Sequence, residues 1–198
     1  MRWLPFTRWV GLQARAKLEV SKLAGARVDS LATAFGSVRL SFSRDGLKDV
    51  YARWATGVTV VTARAGDRVH GMTVSAFTEV SLEPPLVLVC IDRTSSTQPV
   101  IAEGGVFAVN ILARDQEPLA RRFASDEAED RRFLDLEFES GETGAPLIAG
   151  SIASLDCRLE TAHEAGDHII YVGEVVGLKL SDGDPLLFYN RGYRGLAE

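Results

Sequence analysis

The sequence predicts a mainly β chain with short helices, folded as an antiparallel barrel. Three observations predict it. Six or so strand-like segments follow one another with only short helical stretches between them, whereas a doubly wound sheet needs a long helix after nearly every strand. Two extended runs, Ile152 to Ala162 and His168 to Leu180, flank the turn Glu164-Ala165-Gly166-Asp167 and read as one long hairpin. The chain has 198 residues, 46% apolar and 25% charged, which is enough to bury a sizeable core in one domain with an added arm.

The arm comes first. Residues 1–45 hold eight Lys and Arg against three Asp and Glu, a balance of +5, and the remainder carries −10. This shift divides the chain into an N-terminal extension, 1–45, and a barrel domain, 46–198. Trp3, Leu4, Trp9, Val10 and Leu12 share one face of a short helix, and Leu18, Leu23, Val28 and Leu31 continue a loose apolar spacing. The periodicity is poor. It favours an extension that packs on the surface or stays mobile over a helix that binds a membrane surface or a partner. An Arg-rich, acid-poor start is also the composition of a transit peptide, and the h-region of a secretory signal is missing.

The domain opens with a helix near Asp45, where Leu47, Val50, Tyr51 and Trp54 fall at helical spacing, and Gly57 ends it. Val58 to Ala63 is β-branched almost throughout and reads as a strand. Gly66-Asp67 turns the chain, and His70 to Val80 resumes an extended pattern. Leu86 to Ile91 is a continuous apolar run, the pattern of a strand covered on both faces. A short helix over Gln98 to Glu103 stops at Gly104-Gly105, and Val106 to Leu112 is again a strand. Within the charged stretch Asp115 to Glu139, Leu119, Arg122 and Phe123 sit at helical spacing, and Ala128 to Phe133 forms a second short helix. After the Gly141 to Pro146 loop the long hairpin completes the sheet.

Composition excludes several functions. A net charge of −5 argues against nucleic acid as the main partner. No apolar run approaches the ~18 residues of a membrane span. Cys90 and Cys157 are too few and too far apart for a disulfide framework or a zinc site, which suits a reducing, cytoplasmic compartment. Neither a G-x-G-x-x-G nor a Walker loop, H-E-x-x-H or G-x-S-x-G occurs. His163 and His168 lie five apart with no further ligand cluster, so no metal is expected.

Four segments carry candidate chemistry. Gly71 to Ile91 begins with a glycine and small or hydroxyl residues (Thr73, Ser75, Ala76) that leave backbone open to a flat aromatic ligand, or that simply form an edge strand. Asp92 to Thr97 sets four hydroxyls and an arginine beyond a buried strand, which is either a phosphate-binding concavity or a solvated cap for the helix at Gln98. Gly166-Asp167-His168 ends a turn with an imidazole. Pro185 to Gly195 places Phe188, Tyr189 and Tyr193 beside Arg191 and Arg194, able to stack on a ring and hold phosphates, or to close the barrel as a strand.

Taken together, ATGVTVVT (Ala55–Thr62), GMTVSAF (Gly71–Phe77), SLEPPLVLVC (Ser81–Cys90), SST (Ser95–Thr97), FAVNIL (Phe107–Leu112), ARRF (Ala120–Phe123), GDH (Gly166–His168) and PLLFY (Pro185–Tyr189) resemble, in order and spacing, the small flavin reductases of two-component monooxygenases. The resemblance spans Leu47 to the C-terminus and implies an FMN-binding split-barrel fold in a homodimer. It implies that His70, Gly71, Met72, Thr73, Ser75 and Ala76 line the isoalloxazine, with Cys90, Ile91 and Asp92 continuing that wall. Ser96 and Thr97 would hold the phosphate, with Arg122 and Phe123 completing its site. His168 would face the nicotinamide, and Phe188, Tyr189, Asn190 and Arg191 would help bind the pyridine nucleotide. In relatives the position of Val74 or Ser75 is often Asn, Gln or Cys, so this chain departs from them there.

The expected activity is NAD(P)H:flavin oxidoreduction, with FMN or FAD and NADH or NADPH as cofactors and a flavin-dependent monooxygenase component as partner. Hydride transfer between stacked rings needs them ~3–3.5 Å apart and needs no protein nucleophile, which fits the absence of a triad. His168 is expected to orient the nicotinamide amide. The alternative is a non-catalytic flavin- or haem-binding split barrel acting as carrier or sensor, which would not require His168 or Phe188–Arg191. An oxidase of the pyridoxamine-phosphate type needs more basic residues around a second phosphate than the sequence supplies.

Overall fold

Residues 42–125 and 129–197 are described by the computed structural model. The apolar spacing from Trp3 to Leu31 and the start of the predicted Ala128–Phe133 helix lie outside them. Asp45–Glu198 forms one compact unit.

Helix α1 spans Arg44–Tyr51, with Asp45 in its first turn and Lys48 in its last, the charge order that its dipole favours. It ends six residues before Gly57. Gly57 instead lies in a two-residue strand, β1 (Thr56–Gly57), paired with Leu187. No residue of α1 is buried. Its spacing therefore reads as amphipathic without a core beneath it.

Seven strands then build one antiparallel sheet: β2 (Thr59–Ala65), β3 (Arg68–Val74), β4 (Phe77–Leu82), β5 (Pro85–Asp92), β6 (Val106–Ile111), β9 (Ala153–Ala165) and β10 (His168–Leu180). A small pair, β7 (Phe138–Ser140) and β8 (Pro146–Ile148), forms its own two-stranded sheet, packed against β2 and β6. The order across the sheet is β3-β2-β6-β9-β10-β5-β4. Strands β3 and β4 are thus the two outer edges, yet only Ser75-Ala76 separates them in the chain. The sheet must curl for two residues to join its edges, and this joint is the seam of the barrel. The Cys90 N–H donates to the Ala76 carbonyl at 3.0 Å, which carries the β4–β5 ladder into the seam.

Helix α2 (Thr97–Gly104) plugs the barrel with Val100 and Ile101, and Gly105 caps it in the left-handed region at φ 63°. The interior holds Val61, Val89, Ile91, Phe107, Val109, Cys157 and Tyr171. A second core lies on the other side of β2, where Val58, Val60 and Leu112 meet Ala120 and Phe123 of helix α3 (Glu117–Ala124). Strand β6 is therefore buried on both faces. Strand β5, for which that was expected, is not: Val87, Val89 and Ile91 point inward, whereas Leu86, Leu88, Cys90 and Asp92 are half-exposed. Unbroken apolar sequence here reflects a second face that is apolar without being covered within this chain.

The predicted hairpin is β9–β10, turning at Gly166-Asp167, with bulges after Val172 and Val175. The C-terminal segment does not extend this sheet. Its strands β11 (Leu187–Tyr189) and β12 (Gly192–Arg194) pair with β1 as a separate three-stranded sheet.

Candidate functional site

The seam opens into a pocket of about 550 Å³ lined by α1, β4, β5 and β11. Ser75 and Ala76 form its floor at the joint, and their small side chains leave that floor open. Cys90 and Leu88 project from the half-exposed face of β5. Phe77 and Phe188 supply aromatic walls, and Tyr51 and Trp54 stand at the rim, 66% and 76% exposed. Lys48 and Arg191 add positive charge, and no carboxylate lines the pocket. Such walls accept a flat, largely apolar ring system with an anionic tail.

Five residues chosen from the sequence meet here: Ser75, Ala76, Cys90, Phe188 and Arg191. His168 stands close by along the sheet. It pairs with Asp92 in the β5–β10 ladder, one same-face step beyond the pair of Ile170 and Cys90. Its Nδ1–H donates to Asp167 Oδ1 at 2.8 Å, so the ring is oriented with Nε2 away from that carboxylate. Asp92 is held below the usual carboxylate range by the hydroxyl and N–H of Thr94, both at 2.7 Å, and by the nearby imidazole. Asp167 is lowered chiefly by its bond to His168. Burial pushes the Cys90 thiol up.

A second group is tied up in structural contacts on both faces of β3, His70 and Met72 toward Thr97 and Ser95, Gly71 and Thr73 toward Phe123 and Ala120. Thr97 is fully buried, and its Oγ1 meets His70 Nδ1 at 2.7 Å. The Thr97 N–H donates to Ser95 Oγ, which in turn donates to Met72 Sδ at 3.1 Å. Thr73 Oγ1 donates to the Ala120 carbonyl at 2.7 Å. The Thr97 hydroxyl therefore faces the protein, and of the expected phosphate pair only Ser96 is exposed. Phe123 is buried against Gly71, where an added Cβ would stand 2.9 Å from the ring. Arg122 donates to the Leu134 carbonyl at 3.2 Å. Ile91 points into the core. Tyr189 and Asn190 lie on the β11–β12 hairpin and do not line the pocket. Among the described residues, His163 and His168 belong to no group of three metal-ligating side chains.

Sequence reasoning missed Lys48, Tyr51, Trp54, Phe77, Thr78 and Leu88 as pocket residues. The available signal was the apolar stripe of α1, which reads as core until its burial is known. It also missed Arg132, in helix α4 (Glu129–Arg132), which donates to the Gly71 and Ser125 carbonyls at 2.9 and 2.6 Å.

Residues 51–197 match the flavin reductase like domain. The chain is 44% identical over 141 residues to FMN reductase (NADH) SmoA of Agrobacterium fabrum, covering 71% of this chain and 79% of that protein. It is 36% identical to the reductase subunit HsaB of a flavin-dependent monooxygenase of Rhodococcus jostii, covering 75% and 76%. Among solved structures, the NADH:FAD oxidoreductase SgcE6 of Streptomyces globisporus, in complex with NAD and FAD fragments, superposes with a TM-score of 0.74 at 38% identity. That match covers 78% of this chain and 93% of the other.

Proposed function

The chain belongs to the flavin reductase like family, and on that premise we propose how its own residues serve an NAD(P)H-dependent flavin reductase. It is an oxidoreductase that passes reducing equivalents from a nicotinamide to FMN or FAD, as the reductase component for a flavin monooxygenase. The observation that carries the reading is the seam pocket, where Ser75, Ala76, Cys90, Phe188 and Arg191 converge, with Cys90 one same-face ladder step from the Asp92–His168 pair.

The pocket fits a flavin. Its floor is small, its walls are aromatic or aliphatic, and its mouth is cationic. When bound, the flavin supplies a ring that accepts hydride from a nicotinamide stacked on it. Ser75, Ala76 and Cys90 would support the ring, with Phe188 bounding the space left for the nucleotide. His70, Gly71, Met72 and Thr73 would act indirectly, since their bonds on the two faces of β3 fix its course up to the seam. His168, oriented by Asp167, would hold the nicotinamide amide. Ser96 would be the exposed hydroxyl toward a phosphate at the Asp92–Thr97 turn.

Three further parts belong to the proposal. The chain pairs as a homodimer through the uncovered face of β5 and β10, where Leu86, Leu88, Ile170 and Val172 are half-exposed. Residues 1–45 form an extension outside the reductase domain. The compartment is the cytoplasm, which suits two free thiols, Cys90 and Cys157. No described helix is long and apolar enough to cross a membrane.

His168→Ala tests the assignment. With FMN or FAD present, nucleotide oxidation followed at the nicotinamide absorbance should slow by about tenfold or more, the scale of a lost orienting contact. Flavin affinity should stay close to that of the wild type. Equal losses in turnover and flavin binding would remove His168 from this role, and a wild-type protein that oxidises neither NADH nor NADPH would remove the function.

A further inference from the structure

The geometry points to a phosphate-recognising mouth on the seam pocket: we propose that Lys48 and Arg191 engage a phosphate of the bound ligand, with Asp49 competing for the Arg191 guanidinium. The proposal rests on the flavin reductase reading and adds a selectivity element to it.

Charge comes first. Lys48 and Arg191 are the charged residues that line the pocket, and both are cations. The other titratable lining groups are Tyr51 and Cys90. The carboxylates facing the two cations are Asp45 and Asp49, on the same helix as Lys48. Lys48 Nζ is 4.0 Å from Asp45 Oδ1, a long contact between two exposed side chains. Its charge is therefore open to a ligand.

Backbone conformation comes second. Asn190 and Arg191 both sit in the left-handed region, at φ 50° and 62°. They form the two-residue turn between β11 and β12, in which Tyr189 pairs with Gly192. Two-residue turns of this hand favour Asn followed by Gly. An arginine at the glycine position works against backbone preference, and such conformations gather where a side chain must be placed. The turn is pinned from the other side of the pocket as well: the Asn190 N–H donates to the Ala52 carbonyl at 2.8 Å. Ala52 lies one helical turn beyond Lys48, so the bond holds the two cations at one mouth.

The ion pair comes third. Arg191 Nη2 donates to Asp49 Oδ1 at 2.6 Å, with the two side chains 59% and 68% exposed. An exposed pair rearranges at little cost, and one carboxylate oxygen leaves most of the five guanidinium donors free. A phosphate, with its several oxygens, offers Arg191 a better partner than Asp49 does and brings Lys48 into the same contact. Two ligands carry such a group: the flavin, whose ribityl phosphate would then lie at this mouth and not beside Ser96, and the nicotinamide nucleotide through its diphosphate. The chemistry at the mouth is the same for both.

The experiment separates them on the full chain. Dissociation constants for FMN and riboflavin are read from flavin fluorescence, and KM and kcat for NADH and NADPH from turnover, in wild type, Lys48→Gln, Arg191→Gly, the double variant and Asp49→Asn. Glycine accepts φ 62° without strain, so the turn survives Arg191→Gly. If the flavin phosphate sits at the mouth, the double variant weakens FMN by about tenfold with riboflavin within twofold, as loss of charge-assisted bonds implies. If the nucleotide diphosphate sits there, the FMN-to-riboflavin ratio holds and nucleotide KM rises by about tenfold with kcat retained. In either case Asp49→Asn tightens the same ligand. An unchanged FMN-to-riboflavin ratio together with an unchanged nucleotide KM in the double variant would overturn the proposal, whether or not both flavins weaken equally. A wild-type protein that binds neither flavin would instead defeat the reading on which it rests.

Discussion

Cys157 shows how burial writes a pH dependence into a single residue. It is fully enclosed between β6 and β10, and burial, with the Asp156 carboxylate beside it, pushes its thiol up to about 12 from an ordinary value of 9.0. The folded state disfavours the thiolate. Stability is therefore fully present below pH 9 and is lost as pH rises toward 12, at ~1.4 kcal/mol per pH unit from this group. The urea midpoint should fall between pH 8 and 11, and Cys157→Ala should flatten that fall; parallel curves for the two proteins would refute the assignment. Asp92 and Asp167 act with the opposite sign. Their lowered values stabilise the fold above the ordinary carboxylate range, and the effect fades as pH drops through the folded values. At this scale the sequence marked Ser75, Ala76, Cys90, Phe188 and Arg191, which meet in one pocket. It could not show that the Thr97 hydroxyl turns inward to His70, because a hydroxyl on a loop reads alike whether it faces solvent or the chain.

Strand β6 shows the same logic for an element. Asn110 is fully buried near its C-terminal end, where Nδ2 donates to the Val60 carbonyl and Thr62 Oγ1, both at 3.1 Å. Its Oδ1 accepts from the Ile148 N–H and Ser154 Oγ, both at 2.9 Å. One amide thus joins β2, β8 and β9. Asn110→Asp replaces two donors with an acceptor that faces other acceptors and buries a charge. It should cost ~3 kcal/mol or more in denaturant unfolding, and Asn110→Ala ~1–3 kcal/mol; a loss below 1 kcal/mol for the aspartate would show that the network relaxes. Most strands were legible from their β-branched runs and turns, β2 and the β9–β10 hairpin above all. The faces of α1 and β5 were not. Periodicity tells which residues share a face, but not whether anything covers it.

Across the whole molecule, the half-exposed apolar face of β5 and β10 and the nearby edge strand β4, with Val80 49% and Leu82 95% exposed, carry the expectation of a homodimer. Sedimentation equilibrium should give twice the 21.5 kDa chain mass. Ile170→Glu, which places a charge opposite Cys90 on that face, should shift the protein to monomer at micromolar concentration. A wild-type monomer at high concentration would end the dimer reading. The antiparallel fold class was legible because no long helices separate the strands, whereas the pairing order was not, since β3 and β4 are neighbours in the chain and strangers in the sheet.

That order has a mechanical consequence. Ser75-Ala76 ties the two outer strands together covalently although no ladder hydrogen bonds join them, so the seam is held by one short stretch of chain where every other neighbouring pair of the sheet is held by a ladder. A ring lodged against Ser75, Ala76, Phe77 and Cys90 would act as a rivet: it would brace the joint and the β4–β5 rim, and the free energy of its binding would add to the stability of the closed barrel. Cargo and clasp would then be the same molecule, and handing it on would withdraw that added stability from the barrel.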